Sequence, residues 1–153
     1  MATKRPKTDP HTPRRNGASK AGPLVLVVED NVDLRELYAA YFASRGFRVE
    51  VASDGWSAQA RIAECRPDVI VTDLALPHLS GFELTRRLRD NPRTAHVPVI
   101  ACTGHILDAS AERALEAGCD AFMLKPCLPE DVLREARRLL QRPRREPSRQ
   151  RAA

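Results

Sequence analysis

The sequence predicts an α/β domain with one parallel sheet covered by helices on both faces. Three observations predict it. Short apolar runs alternate five times with segments of helical period. Four of those runs end directly on a charged or hydroxyl residue: Val28 on Glu29-Asp30, Thr72 on Asp73, Cys102 on Thr103 and Leu124 on Lys125. The chain of 153 residues, 42% of them hydrophobic, suits one domain with a real core.

Each element follows from local signals. Leu24–Val28 is a continuous apolar run, as expected of a strand buried on both faces. A helix follows from about Asp33, with Leu34, Leu37, Tyr38, Tyr41 and Phe42 at helical spacing and Gly46 as its stop. Phe47–Ala52 alternates as a second strand. Ser53 or Asp54 caps a helix carrying Trp56, Ala60, Ile62 and Ala63, which ends before Pro67. Asp68–Thr72 is the third strand, and Asp73–Gly81, with Pro77, is a structured loop. A helix runs from Phe82 to about Asp90, and Val97–Cys102 is the fourth strand. Asp108 or Ser110 opens a helix that Gly118 ends, and Asp120–Leu124 is the fifth strand. Pro129, with Glu130 and Asp131 in the first turn, opens the last helix. Its stripe is Val132, Leu133, Ala136, Leu139 and Leu140, and Pro143 closes it.

The net charge of +5 is unevenly spread. Residues 1–22 carry six basic groups against Asp9, and residues 141–153 carry five against Glu146, which leaves the segment between them at −4. Both ends are rich in Pro and Arg and poor in large apolar residues, so they are read as disordered basic tails at 1–22 and 143–153 around a domain at 23–142. Such tails can attract nucleic acid, or they can simply be solvated. No apolar stretch reaches the ~20 residues of a membrane span, and a cytoplasmic location is expected. Cys65, Cys102, Cys119 and Cys127 show no CxxC spacing, so buried or ordinary thiols are expected rather than zinc or disulfides.

If the runs are strands of one parallel sheet, Glu29, Asp30, Asp73, Thr103 and Lys125 emerge at the edge where such sheets place their sites. Three carboxylates in one pocket repel one another, and a hard divalent cation resolves the conflict. A capping role for Glu29 and Asp30 explains one acid but not a second, nor Asp73 at the end of another strand. Lys125 can neutralise the acids or bind a phosphoryl oxygen as a point charge. Pro126 after it suggests a cis bond or tight turn.

These residues sit in the motifs Val27-Val28-Glu29-Asp30-Asn31, Asp73-Leu74-Ala75-Leu76-Pro77, Ser80-Gly81-Phe82-Glu83-Leu84, Thr103-Gly104, Gly118-Cys119-Asp120-Ala121-Phe122 and Leu124-Lys125-Pro126. In that order the chain resembles a stand-alone response-regulator receiver domain of two-component signalling, over about residues 23–142. The resemblance implies a flavodoxin-like fold of three layers with strand order 2-1-3-4-5, an order that the alternation alone does not supply. It implies Asp73 as phosphoacceptor from a phosphohistidine of a sensor histidine kinase or phosphotransfer protein. Mg²⁺ would be held by Asp30, Asp73 and the Ala75 carbonyl, and by Glu29 through water. Lys125 and Thr103 would hold phosphoryl oxygens, and Thr103 and Phe122 would switch the face of the fourth and fifth helices and the fifth strand toward a downstream protein partner. Ala75, Gly104 and His105 occupy positions that tune phosphoryl lifetime. Leu76 stands where methionine is frequent, a volume-conserving change, and Gly104, replacing a common alanine, is expected to keep access to Asp73 open.

The implied chemistry is self-catalysed phosphoryl acceptance and autodephosphorylation, not a separate enzyme activity. The chain would be a monomer or a phosphorylation-dependent dimer. Three other readings stand beside this one: a pseudo-receiver that binds a partner without phosphorylation, an aspartate-nucleophile phosphatase, and a nucleic-acid binder acting through the tails. The phosphatase reading lacks the second acid that would be expected at Ala75.

Overall fold

The computed structural model describes residues 21–104 and 110–143. Five strands and five helices alternate: β1 (Leu24–Val28), α1 (Val32–Ser44), β2 (Arg48–Ala52), α2 (Gly55–Cys65), β3 (Val69–Thr72), α3 (Gly81–Asp90), β4 (Val99–Thr103), α4 (Ser110–Ala117), β5 (Ala121–Leu124) and α5 (Pro129–Leu140). The strands pair in parallel in the order β2-β1-β3-β4-β5. Fold class and strand order both match the expectation. His105 and the expected tails at 1–20 and 144–153 lie outside the described residues.

Successive side chains of a strand point to opposite faces, and this splits the core in two. Leu26, Val28, Ile70, Val99 and Ala101 pack with Ala58 and Ile62 of α2, Leu84 and Leu88 of α3, and Ala114 of α4. Val25, Val27, Val69, Val71, Ile100 and Cys102 pack with Tyr38 and Phe42 of α1 and with Val132, Leu133, Ala136 and Leu139 of α5. The result is three layers. Each fully buried Leu, Ile or Phe contributes about 1.5–3 kcal/mol.

Caps and pins fix where elements begin. Asn31 accepts from the Leu34 amide at 3.0 Å, Asp54 from Ser57 at 2.8 Å and Ser80 from Glu83 at 3.2 Å, so each helix start is capped by a side-chain oxygen. Asp54 and Ser57 bond reciprocally, which decides for Asp54 over Ser53 as the cap of α2. Pro129 opens α5 as expected. At the lower edge of the sheet, Asp68 accepts from the Leu24 amide at 2.7 Å. Asp120 accepts from Val99 N at 2.9 Å and pairs with Arg89 at 2.8 Å.

Several expectations are corrected. β4 begins at Val99 rather than Val97 and runs through Thr103, because β3 pairing starts with Ile70 donating to the Pro98 carbonyl. β2 starts at Arg48; Phe47 precedes it and packs edge-on against Phe42 at 5.0 Å. α2 buries Gly55, Ala58 and Ile62, while Trp56 is 49% exposed, lying under the Arg87 guanidinium at 4.9 Å. Ala60 and Ala63 are exposed, and so is Leu37 on α1. Val51, predicted as an inward strand position, is exposed on the edge strand.

Two glycines are required where the loop after β3 meets its neighbours. A β-carbon on Gly81 would lie 2.2 Å from the Asp73 carbonyl oxygen, and one on Gly55 would lie 2.1 Å from that of Leu79. At Gly104 it would meet only the Lys125 β-carbon, at 3.9 Å. Gly81→Ala is therefore expected to lower the urea unfolding free energy by about 1–3 kcal/mol, the usual cost of overpacking. Gly104→Ala should change it by less than about 0.5 kcal/mol, as surface substitutions do. Equal effects of the two would contradict this account of the loop.

Candidate functional site

Because the strands are parallel, β1, β3, β4 and β5 all deliver their last residues to one edge. Glu29 follows β1 and is buried, Asp30 beside it is exposed, and Asp73 follows β3 at 8% exposure. Carboxylate oxygens of these three residues lie within 4.8 Å of one another. Lys125 follows β5, and its Nζ stands 2.7 Å from Glu29 Oε2 and 2.7 Å from Asp73 Oδ2. The ammonium thus bridges acids from two other strands.

Backbone groups complete the cage. Ala75 N donates to Asp73 Oδ1 at 2.9 Å. Asn31 N donates to Glu29 Oε1 at 3.3 Å, and Arg35 holds the Glu29 carbonyl at 2.9 Å. Thr103 ends β4 fully buried, and its carbonyl accepts from Lys125 N at 2.9 Å, which ties the β4 and β5 ends together. The Lys125–Pro126 peptide is cis. Phe122, in β5, is half-buried and packs with Leu76 and Phe82 on the α3 side of the sheet.

The charges perturb one another. Burial pushes the Glu29 carboxyl up, and the hydrogen bond from Lys125 opposes this without cancelling it. Burial alone would lower the Lys125 ammonium, but hydrogen bonds to Asp73 and Glu29 hold it above its ordinary value. Oxygen-only donors around one point, with a net negative charge, suit a hard cation such as Mg²⁺.

The structure brings Glu29, Asp30, Asp73, Thr103 and Lys125 to one edge, with Ala75 and Gly104 beside them, as the sequence predicts. Gly104 does not clear a path to Asp73 by lacking a side chain, since a β-carbon there would reach Lys125 and not the acids. Sequence reasoning missed Arg35 and the steric role of Gly81. Arg35 carries no spacing signal, whereas the Ser80-Gly81 pair beside a helix start was a readable sign of close backbone approach.

The family model described as "Response regulator receiver domain" matches residues 25–137. The chain belongs to the response-regulator receiver family. This receiver is 35% identical over 102 residues to the polar-differentiation response regulator DivK of Brucella anthropi, covering 67% of this chain and 83% of that protein. It is 35% identical over 127 residues to the DNA-binding dual master transcriptional regulator RpaA of Synechocystis, covering 82% of this chain but only 52% of that protein. The chain thus spans about half the length of such relatives. Among solved structures, the receiver domain of a sensor histidine kinase from Pseudomonas aeruginosa superposes with a TM-score of 0.72 at 33% identity, covering 78% of this chain and 98% of that one. That structure holds a magnesium ion coordinated in its active-site cleft. Chemotaxis response regulator CheY4 of Vibrio cholerae gives a TM-score of 0.72 at 27% identity, covering 77% and 98%. The receiver's place in two-component signalling follows from this membership. Among the described residues, no helix is long and apolar enough to cross a membrane.

Replacing Lys125 by Met should expose the conflict it resolves. Glu29 already titrates above 4.5 in the folded protein, so protonating it favours folding, and that gain is lost as pH rises through the folded value. The raised Lys125 ammonium contributes stability present below 10.5 and lost above its folded value. Lys125→Met is expected to cost about 1–3 kcal/mol of urea unfolding free energy at neutral pH. The deficit should shrink near pH 4.5, as Glu29 takes up a proton. A deficit independent of pH would contradict the charge account.

Proposed function

We propose that this receiver accepts a phosphoryl group on Asp73 from a phosphohistidine of a sensor histidine kinase or phosphotransfer protein, with Mg²⁺ as cofactor. The observation that carries the reading is the two-sided hold on Asp73: Oδ2 on the Lys125 ammonium and Oδ1 on the Ala75 amide. A carboxylate so held is oriented, ionised and placed beside two more acids. In the transfer, an Asp73 oxygen forms the O–P bond as the P–N bond breaks, and the electron pair leaves on the imidazole nitrogen. Lys125 then faces the charge that develops on the phosphoryl oxygens. The buried Thr103 hydroxyl at the end of β4 donates to one of those oxygens, and backbone N–H groups near Ala75 and Gly104 assist.

Asp30, Asp73 and the Ala75 carbonyl are the residues that would hold Mg²⁺, with Glu29 acting through water. The bound cation would supply charge neutralisation between the acids and the phosphoryl oxygens. Asp73 and Glu29 exchange their bridge to Lys125 for this arrangement, which frees the ammonium for phosphate. The added charge of about −1.5 to −2 draws Thr103 toward it, and Phe122 turns further inward. Exposed Leu115 and Leu124, on the α4-β5-α5 face, then meet a downstream protein partner. The chain works in the cytoplasm as a switch, with no activity beyond its own modification. Ala75 has no side-chain group to orient an attacking water, so the aspartyl phosphate is long-lived.

Incubation with a small phosphodonor and Mg²⁺ should give one phosphoryl adduct by intact mass, absent in Asp73→Ala. Unmodified wild type would support a phosphorylation-independent interaction module instead. The adduct should persist for minutes in Mg²⁺; loss within seconds would overturn the role given to Ala75. Mg²⁺ should raise the thermal midpoint of the wild type, and Asp30→Asn should remove most of that rise, as mass action on the folded state requires. An equal rise in both proteins would place the metal elsewhere.

A further inference from the structure

Two thiols flank the proposed chemistry without taking part in it. Cys102 precedes Thr103 in β4 and is 2% exposed. Cys127 lies two residues beyond Lys125 and is half-buried. Register sets Thr103 opposite Leu124. Cys127 Sγ turns back to donate to the Leu124 carbonyl at 3.1 Å, and the Cys127 carbonyl accepts from the Tyr38 hydroxyl at 3.0 Å. Cys127 is therefore held over the end of β5, packed against the same α1–α5 side of the core that contains Cys102. The two sulfurs share a side-chain hydrogen bond.

That hydrogen bond pulls the Cys127 thiol down, and the nearby Lys125 charge adds to the effect. The same bond, with burial, pushes Cys102 up. A half-exposed, more acidic thiol beside a buried one is the arrangement of an attacking and a resolving cysteine. The other two thiols differ: burial pushes Cys65 up, and Cys119 is buried against the Thr85 hydroxyl at 3.6 Å.

We propose that Cys102 and Cys127 form a reversible intramolecular disulfide under hydroperoxide, tying the end of β4 to the segment that follows Lys125. The Cys127 thiolate attacks the peroxide; an S–O bond forms, the O–O bond breaks, and the departing oxygen leaves as water after taking a proton. Cys102 then attacks the sulfenic sulfur; the S–S bond forms, the S–O bond breaks, and a second water leaves with the Cys102 proton. Two sulfurs together lose two electrons and the peroxide gains them. A dithiol reverses the step by exchange. The bond shortens an existing sulfur contact to about 2.05 Å. It limits relative movement of Thr103 and Lys125, so oxidation slows phosphoryl acceptance. That consequence rests on the phosphoacceptor reading; the disulfide itself does not.

The test uses the full chain, reduced, freed of reductant and treated with hydrogen peroxide, then blocked with maleimide under denaturing conditions and mapped as peptides. The proposal expects a Cys102–Cys127 linked pair, with two of the four thiols still labelled and all four labelled after dithiothreitol. Cys127→Ser should form no such link, and Cys102→Ala should leave a sulfenic acid on Cys127 that dimedone captures. Four labelled thiols after peroxide, or links that join other cysteines or two chains, would overturn it. Phosphorylation by a small phosphodonor should slow by about tenfold on oxidation and recover with dithiothreitol. An unchanged rate in the disulfide form would overturn the regulatory consequence. If neither form takes up phosphate, the phosphoacceptor reading fails, and the peptide map still decides the disulfide.

Discussion

The Lys125 ammonium, held between Glu29 and Asp73, is the interaction on which the site depends. It joins the ends of β1, β3 and β5, although β5 pairs only with β4. Two largely buried carboxylates this close would repel each other at neutral pH, and the rise of Glu29 shows that burial still outweighs the cation's help. One positive charge among three acids leaves the pocket negative. A divalent cation can relieve that excess, and the lysine is then available to an incoming phosphoryl group. The pocket's negative charge is thus what admits the metal, and the bridge is what keeps the fold intact before the metal arrives.

The scaffold serves that arrangement by holding strand ends in register. Asp68 and Asp120 pin the lower edge through backbone amides, and the Asp120 carboxylate is itself held by Arg89. At the upper edge, Thr103 and Lys125 share a backbone hydrogen bond, so movement of one strand end is felt by the other. Gly55 and Gly81 let the loop after β3 close down on α2 and α3, which brings the Ala75 amide onto Asp73. The functional loop is shaped by two positions whose only contribution is the space they leave. The Cys102 and Cys127 pair sits across the same β4–β5 link, which is why oxidation there can reach the site.

Much of this was legible in the sequence. Apolar runs ending in Glu29, Asp73, Thr103 and Lys125 revealed the strands and the edge where the site lies, because a strand buried on both faces has no other pattern. Pro129 and Asp54 were readable as helix starts for reasons of backbone chemistry. What escaped was mostly partial burial. Trp56, Leu37 and Val51 are apolar yet exposed, since periodicity marks a face but not whether a neighbour covers it. Arg35 and Gly81 escaped because their partners are the carbonyls of Glu29 and Asp73, and a backbone partner leaves no residue-type signal. The contact of Cys102 with Cys127 depends on the turn after β5, which the absence of a CxxC spacing concealed.

The central claim is that the Asp73 carboxylate is the atom group that receives phosphate. Reducing the phosphorylated protein with borohydride and mapping the peptides tests it most directly, because an acyl phosphate is reduced to the alcohol while phosphate esters and ordinary carboxylates are not. The account predicts homoserine at position 73 and at no other aspartate. Homoserine at Asp30, or phosphate that survives borohydride, would contradict it.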